Sequence, residues 1–147
     1  MKKYIGTKEI KAKPMTRKEY NDYRGWDLPT DENGDESVCL VEYPEDEHSK
    51  PNHPNHKGYI SMSPKHVFDK HYKRAETWKD RVIIELDELT AKIDGLTKGL
   101  DSKAIPEDQV PILTVQLKSM LEYQAVLRMS LGMSVKGISW GLASKFI

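Results

Sequence analysis

The stretch GYISMSPKHVFDKHY, residues 58–72, contains the change of periodicity that decides the fold. Its first five residues, GYISM, read as a β-strand. After the Ser-Pro step, the apolar residues Val67, Phe68 and Tyr72 recur at helical spacing and give one packing face. The stretch therefore predicts a strand that leads directly into a helix.

The Ser-Pro step is the predicted start of that helix. Ser63 is expected to act as the N-cap, and Pro64 fits the first helical position, where a missing N–H costs nothing. With Lys65 and His66 beside it, this helix N-terminus is a candidate site for a phosphate group. The simpler alternative is a capped helix whose first N–H groups bind only water.

A β-hairpin is predicted where this strand pairs with an earlier one. SVCLVEY, residues 37–43, alternates as a strand does, and Cys39, Val41 and Tyr43 are expected on its core face. The segment EYPEDEHSKPNHPNHKG, residues 42–58, is polar and rich in proline, and reads as a long exposed loop. Antiparallel pairing of the two strands across this loop is expected.

Two further elements are predicted nearer the N-terminus. Residues Tyr4–Lys13 alternate weakly and are interpreted as a strand that ends at Pro14. Thr16 and Glu19 stand at capping-box spacing, so a short helix over Arg17–Tyr23 should follow, and the next glycine should end it.

The second half of the chain predicts a helical hairpin. Thr77 and Asp80 form a capping-box pattern, and apolar residues then follow steps of four and three in two stripes separated by DSKAIPEDQVP, residues 101–111. The stripes are Trp78, Val82, Leu86 (or Glu85), Leu89, Ile93, Leu96 and Leu100, and then Leu113, Leu117, Met120, Gln124, Leu127 and Leu131. The polar Gln124 in this seam is the kind of residue that fixes register or oligomeric state.

These patterns together predict an α+β fold with three parts. A small antiparallel-sheet domain is expected over residues 1–74, an antiparallel helical hairpin over 75–131, and an apolar, glycine-containing tail over 132–147. Two amphipathic helices alone bury too little surface for a stable domain. Apolar residues off the main stripes therefore predict a homo-oligomer assembled through the hairpin. The alternative is that this surplus packs on the first domain.

Composition limits the classes of function. The chain has 147 residues and a formal net charge of zero, from 23 basic and 23 acidic residues, which argues against general binding to nucleic acids. Cys39 is the only cysteine, so no internal disulfide is expected and a reducing cytosol suits the protein. The start, MKKYIGTKEIKAK, has no apolar segment behind its lysines, and no apolar run approaches the ~20 residues that span a bilayer. Neither a signal peptide nor a membrane contact is predicted.

The motifs of common catalysts are missing from the sequence. It has no nucleophile elbow, no phosphate-binding glycine loop and no dinucleotide-binding glycine pattern, so neither an enzyme nor a cofactor is predicted. His48, His53 and His56 lie in one loop without paired cysteines and are interpreted as solvated. The turn DENGDESVCLVE, residues 31–42, matches a calcium loop only in part because its glycine is misplaced. No metal site is predicted.

Aromatic, basic and hydroxyl side chains in the first domain form the candidate ligand site. Rings and a guanidinium can stack on a base, while a hydroxyl, an ammonium and free helix N–H groups can hold phosphate. The candidate ligand-binding residues are Tyr20, Arg24, Trp26, Tyr59, Ser63 and Lys65. The alternative is that Tyr20, Tyr23 and Trp26 form the core of the domain.

Two parts of the chain resemble small phage proteins. The runs MTRKEYNDYRGW, CLVEY and NHKGYISMSPKHVFDKHY resemble the N-terminal domain of short proteins of tailed bacteriophages and prophages, with Met62 in place of a tryptophan. The runs DRVIIELDELTAKIDGL and QLKSMLEYQAVL resemble the helical hairpin of another small phage group, of the crAss-like-phage type. Together these resemblances extend to about Leu131 and imply a bacteriophage protein in the host cytoplasm.

The first domain also resembles the second Thoeris anti-defence protein in its strand, turn and strand pattern followed by a Pro-containing step. That family is a small phage sponge that traps a nucleotide-derived immune signal and does no chemistry. The resemblance implies a counter-defence protein that binds and sequesters a cyclic nucleotide-like small molecule as an oligomer. The alternative is a non-enzymatic adaptor or scaffold whose hairpin binds another protein.

Overall fold

The computed structural model describes residues 1–133 and divides the chain into two compact units, with the boundary between Tyr72 and Lys73. The first unit contains a three-stranded antiparallel sheet with two short helices, and the second contains a packed pair of long helices. The predicted α+β fold is therefore confirmed. All but the first two residues of the predicted tail, 132–147, lie outside the described residues.

The sheet has the order β1-β2-β3 with antiparallel neighbours. Strand β1 is Lys11–Thr16, β2 is Ser37–Glu42 and β3 is Ile60–Pro64. The predicted hairpin of β2 and β3 is confirmed, and its two strands flank the long polar loop. The third strand, β1, lies on the other side of β2, so that β2 is central.

The predicted N-terminal strand is displaced along the chain. The prediction placed it at Tyr4–Lys13 with its end at Pro14, whereas β1 runs through Pro14. Pro14 lies opposite Cys39, whose other neighbour is Ser63. Because the hydrogen-bonding groups of Cys39 point toward β3, the nitrogen of Pro14 points away from β2 and its missing N–H interrupts no ladder bond.

Helix α1, Arg17–Arg24, has the predicted capping box and stop. The Thr16 hydroxyl accepts a hydrogen bond from the Glu19 N–H at 3.2 Å, and the Glu19 carboxylate accepts one from the Thr16 N–H at 2.7 Å. Gly25 ends the helix in the left-handed conformation with φ of 70°, which glycine adopts without steric cost. Local rules therefore locate this helix to within one residue.

Both faces of β2 are buried, which the prediction missed. Residues Val38–Val41 are all at most 5% exposed. On one face Val38 and Leu40 pack with Tyr20 of α1 and with Ile60 of β3. Helix α2, Lys65–His71, contacts β2 and β3 and covers the other face. The expectation that the core face is the Cys39 and Val41 side alone is therefore wrong, because each face has its own helix.

The predicted cap of α2 is also wrong. Pro64, with extended backbone angles of −54° and 137°, occupies the N-cap position, and no side chain caps the helix. Pro64 is paired with Val38 in the sheet, which holds it extended, so the helix starts one residue later than predicted. The Ser63 hydroxyl instead makes a long 3.4 Å hydrogen bond to the Pro64 carbonyl.

The second unit consists of α3, Trp78–Asp101, and α4, Val110–Ser130. The predicted capping box of Thr77 and Asp80 is present. Both predicted stripes are buried or half-buried except at Trp78, which is 53% exposed. In the seam the Gln124 amide donates to the Thr90 hydroxyl at 2.9 Å, so the buried polar group is satisfied across the pair.

Two glycines should respond oppositely to alanine. A Cβ at the buried Gly58 would overlap the Tyr43 carbonyl oxygen, so Gly58→Ala should lower the free energy of unfolding by about 1–3 kcal/mol. Gly95 is a helical residue of α3 with no atom near its added Cβ, so Gly95→Ala should raise it by about 1 kcal/mol. Urea unfolding followed by circular dichroism measures both. Wild-type stability of Gly58→Ala would contradict this packing.

Candidate ligand-binding cleft

A cleft of about 530 Å³ opens in the first unit between α1 and the free edge of β3. Arg24, Trp26 and Tyr59 line it together with the loop residue Asn52 and the strand residue Met62. We call it the Arg24 cleft. Its volume lies within the range of sites that hold a small organic molecule.

A stacked cation is the central feature of the Arg24 cleft. The Arg24 guanidinium carbon lies 4.3 Å from the centre of the Trp26 ring, which is a cation–π contact. Its Nη1 atom makes no well-aligned hydrogen bond among residues 1–133, and the Tyr20 hydroxyl, a neutral group, is the side chain that interacts with the guanidinium. A guanidinium that no carboxylate of the described chain neutralises is suited to an anionic group of a ligand.

The charge of the second arginine in the cleft is already neutralised. Arg17 Nε lies 2.7 Å from Glu32, and Arg17 Nη1 donates to Glu36 at 2.8 Å. The Glu36 hydrogen bond is the largest cause that raises the pKa of Arg17. The cleft is also lined by the acidic residue Asp27, which offsets part of the positive charge. Arg24 therefore provides at most one positive charge that is free to pair with a ligand. This charge balance fits one phosphate group better than several.

The predicted aromatic residues divide between core and cleft. Tyr20 is 3% exposed and belongs to the core cluster, and burial raises the pKa of its hydroxyl while Arg24 opposes that rise. Trp26 and Tyr59 are 52% and 44% exposed. The Tyr20 ring packs edge-on against Trp26, with 6.2 Å between the ring centres. Tyr20 is therefore a core residue, as the alternative interpretation expected, and its ring packs against the exposed ring of Trp26.

Ser63 and Lys65 lie away from the other four candidate residues. Ser63 is paired with Cys39, so its side chain is on the sheet face that α2 covers. Lys65 is held by Asp69 of the same helix at 2.6 Å, which raises the pKa of the lysine. Neither residue lines the Arg24 cleft. The structure therefore brings together Tyr20, Arg24, Trp26 and Tyr59 only.

Asn52 is a cleft residue that sequence reasoning missed. Its side-chain amide donates to the Ile60 carbonyl at 2.8 Å, and its side-chain oxygen accepts from the Ile60 N–H at 2.8 Å. The carboxamide thus pairs with the edge of β3 as a neighbouring strand would. An asparagine in a polar loop has no sequence pattern that indicates such a long-range pair.

A hydrogen-bonded network around Glu42 also fixes this loop. The Glu42 carboxylate accepts from His56 Nδ1 at 2.9 Å and from the Gly58 N–H at 3.2 Å. The opposite nitrogen of the His56 ring lies 2.8 Å from the Tyr23 hydroxyl, and the His53 ring stacks on Tyr23 with 4.4 Å between centres. The prediction that His53 and His56 are solvated is therefore wrong, whereas His48 is exposed.

This network borders a second cleft, of about 420 Å³, that also contains Lys11 and Lys13. Glu42, His56 and Tyr23 in this cleft are hydrogen-bonded to one another, and Lys11 and Lys13 are exposed cations that lie over no aromatic ring of the described residues. The Arg24 cleft, by contrast, has half-exposed Trp26 and Tyr59 beside an arginine that contacts one of them. We therefore take the Arg24 cleft as the candidate site.

Residues 1–133 have neither a metal-binding cluster nor a membrane-spanning helix. That part of the chain contains no group of three or more histidine, cysteine or acidic side chains placed to hold a metal ion. Within it, no helix has the length and apolarity needed to cross a membrane. The buried Cys39 is a free thiol whose pKa is raised by burial.

Comparison with known proteins gives one finding. The model of the Sequestin family matches residues 76–129, which is the helical hairpin and does not extend into the first unit. Comparisons with curated proteins and with solved structures gave no match. The sequence resemblance to a signal-trapping phage protein concerned the first unit. The match to the Sequestin family lies in the second unit.

The network predicts a pH dependence of stability. The pKa of Glu42 lies below its ordinary value because His56, and then the Gly58 N–H, donate to the carboxylate. A carboxyl whose pKa is lower in the folded state stabilises that state above its unfolded pKa, and the contribution is lost as the pH falls through the folded pKa. Urea unfolding between neutral and acidic pH should therefore show a loss of stability that depends on Glu42.

Glu42→Gln tests this dependence. The variant should be destabilised by about 1–3 kcal/mol at neutral pH. Its free energy of unfolding should also fall less steeply than that of the wild type as the pH is lowered. Glu45→Gln is the matched control, because Glu45 is exposed and has no hydrogen bond or ion pair among the described residues. Parallel pH profiles for wild type and Glu42→Gln would show that the network contributes nothing.

Proposed function

We propose that this protein binds and sequesters a nucleotide-derived small molecule without turnover, through the Arg24 cleft. In this proposal it is a bacteriophage counter-defence protein that acts in the host cytoplasm and removes a host immune signal. The single observation that carries the proposal is the Arg24 guanidinium, which lies over the Trp26 ring and has no carboxylate partner among the described residues.

The cleft has the groups that a nucleotide requires. Trp26 and Tyr59 are about half exposed, and the ring surface that Arg24 leaves uncovered can stack on a base, which contributes about 1–3 kcal/mol per base where it is used. Arg24 offers a charged donor for a phosphate oxygen. Since no cleft residue of the described chain pairs a nucleophile with a base, binding without chemistry is the simplest role for these groups.

The family match supports the idea of sequestration. The name of the Sequestin family indicates a protein that sequesters a molecule, and the match covers the hairpin. In our proposal the hairpin assembles several copies. Its helix α4 has exposed apolar residues on the side away from the seam, among them Ile112, Val115, Val126 and Met129, which are 37–60% exposed. An apolar stripe of this kind on a paired helix suits contact with a further helix.

The same stripe favours a second candidate function. An adaptor would use the exposed face of α4 to bind a host or phage protein, and the Arg24 cleft would then have no ligand. A small-molecule binding assay distinguishes the two functions, because only the first predicts that the protein binds a small molecule.

Thermal unfolding with a ligand panel tests the first function. Cyclic dinucleotides, cyclic trinucleotides and cyclic ADP-ribose isomers are suitable probes. A binder at about 100 times its Kd should stabilise the fold by about 2.7 kcal/mol. Trp26→Ala should weaken that binder by about 1–3 kcal/mol, whereas Trp78→Ala, which removes an equally exposed tryptophan in the second unit, should not. Absence of any shift across the panel would favour the adaptor.

Light scattering after size exclusion tests assembly. Wild type should elute as an oligomer, and Val115→Glu with Val126→Glu should give a smaller species because charges would be buried in the contact. Ala91→Glu is the control, since Ala91 is exposed on α3 and lies outside the stripe. A wild-type monomer at all concentrations would remove the assembly role of the hairpin.

A further inference from the structure

Along β3, residues whose backbone N–H and C=O bond to β2 alternate with residues whose N–H and C=O point outward, away from the sheet. The Tyr59 carbonyl accepts from the Tyr43 N–H at 2.9 Å, so the polar backbone groups of Tyr59 point toward β2. The next residue, Ile60, points its N–H and C=O outward to Asn52. Because backbone groups alternate along an antiparallel strand, those of Met62 point outward again, two residues farther on.

Met62 has no partner for either backbone group among residues 1–133. It lines the Arg24 cleft, beside Ile60 and Ser61. The free edge of β3, which borders the cleft, thus offers one N–H donor and one C=O acceptor side by side on the same residue. This is the arrangement that Ile60 offers to the carboxamide of Asn52 at the preceding outward position.

We propose that the backbone of Met62 binds the planar edge of a heterocycle or carboxamide that carries a hydrogen-bond donor beside an acceptor, such as the edge of adenine. This inference rests on the proposed function and names the chemical class of its ligand. Asn52 shows the binding mode within the protein, since a planar amide occupies the adjacent position with both bonds at 2.8 Å. Trp26 and Tyr59 would stack on the ring, and Arg24 would bind an attached phosphate.

The length of the open edge favours a small ligand over an added strand. The outward position before Met62 is taken by Asn52, and the outward position after it is Pro64, which has no N–H. A strand from another chain needs several consecutive outward groups to pair. Only one residue of β3 offers both a donor and an acceptor, which matches a single planar group.

Nuclear magnetic resonance on the full chain tests the contact directly. Adenosine 5′-monophosphate at millimolar concentration should shift the amide resonance of Met62 and slow its hydrogen exchange. Ribose 5-phosphate, which lacks the base, should leave the Met62 amide unchanged. Purine riboside 5′-monophosphate, which lacks the exocyclic amino donor, should bind about threefold to tenfold more weakly, the effect of one lost hydrogen bond.

A pair of variants isolates the N–H of Met62. Met62→Pro removes the donor at an edge position where no sheet bond is lost, and Met62→Ala removes the same side-chain packing but keeps the donor. Binding of adenosine 5′-monophosphate should be lost or at least several-fold weaker in Met62→Pro than in Met62→Ala. Urea unfolding of both variants checks that each is folded.

The outcomes separate this inference from the proposed function. If adenosine 5′-monophosphate shifts the resonances of Trp26 and Arg24 but not the Met62 amide, the edge contact is wrong and the cleft still binds a ligand. If no cleft resonance responds to it, both are wrong for this class of ligand. If the Met62 amide is already protected without ligand and loses that protection on dilution, the edge pairs with another chain and the inference fails.

Discussion

The first unit depends on the central position of β2, which is covered by a helix on each face and paired with a strand at each edge. Each of its four apolar residues, Val38–Val41, is at most 5% exposed, and a buried side chain of this size contributes about 1.5–3 kcal/mol. Helices α1 and α2 must therefore remain on opposite faces, and groups available for binding are left at the margins of the sheet.

The long loop between β2 and β3 is fixed to those margins by polar contacts. Asn52 pairs with the edge of β3, and His56 bonds to Glu42 at the end of β2. The two contacts use different residues of the loop, so they hold it at two separate points. A loop of this length without such anchors would be mobile, and the wall that Asn52 provides to the Arg24 cleft would not persist.

Sequence patterns predicted the elements governed by local chemistry. The capping boxes at Thr16 and Thr77 and the heptad stripes of α3 and α4 depend on neighbours within a few residues, and the structure contains them. The errors arose where distant chain segments decide. Pro14 lies within a strand because of its register with Cys39, and His56 is ordered because of Glu42, neither of which a spacing pattern can reveal. Four of the six candidate site residues meet, and the two that do not were assigned from the wrongly placed start of α2.

The Arg24 cleft differs from the rest of the first unit because charged and polar groups at the cleft lack partners within the described part of the protein. Arg17 has two carboxylate partners, the Ile60 backbone has Asn52, and Glu42 has two donors. In the Arg24 cleft, by contrast, Arg24 has no carboxylate partner and the backbone of Met62 has no hydrogen-bond partner among the described residues, and both residues line the cleft with Trp26 and Tyr59. Proteins depart from full internal satisfaction mainly where function requires it. A cation, a donor–acceptor pair and two ring faces that remain open together are more simply explained by one shared ligand than by separate defects of folding.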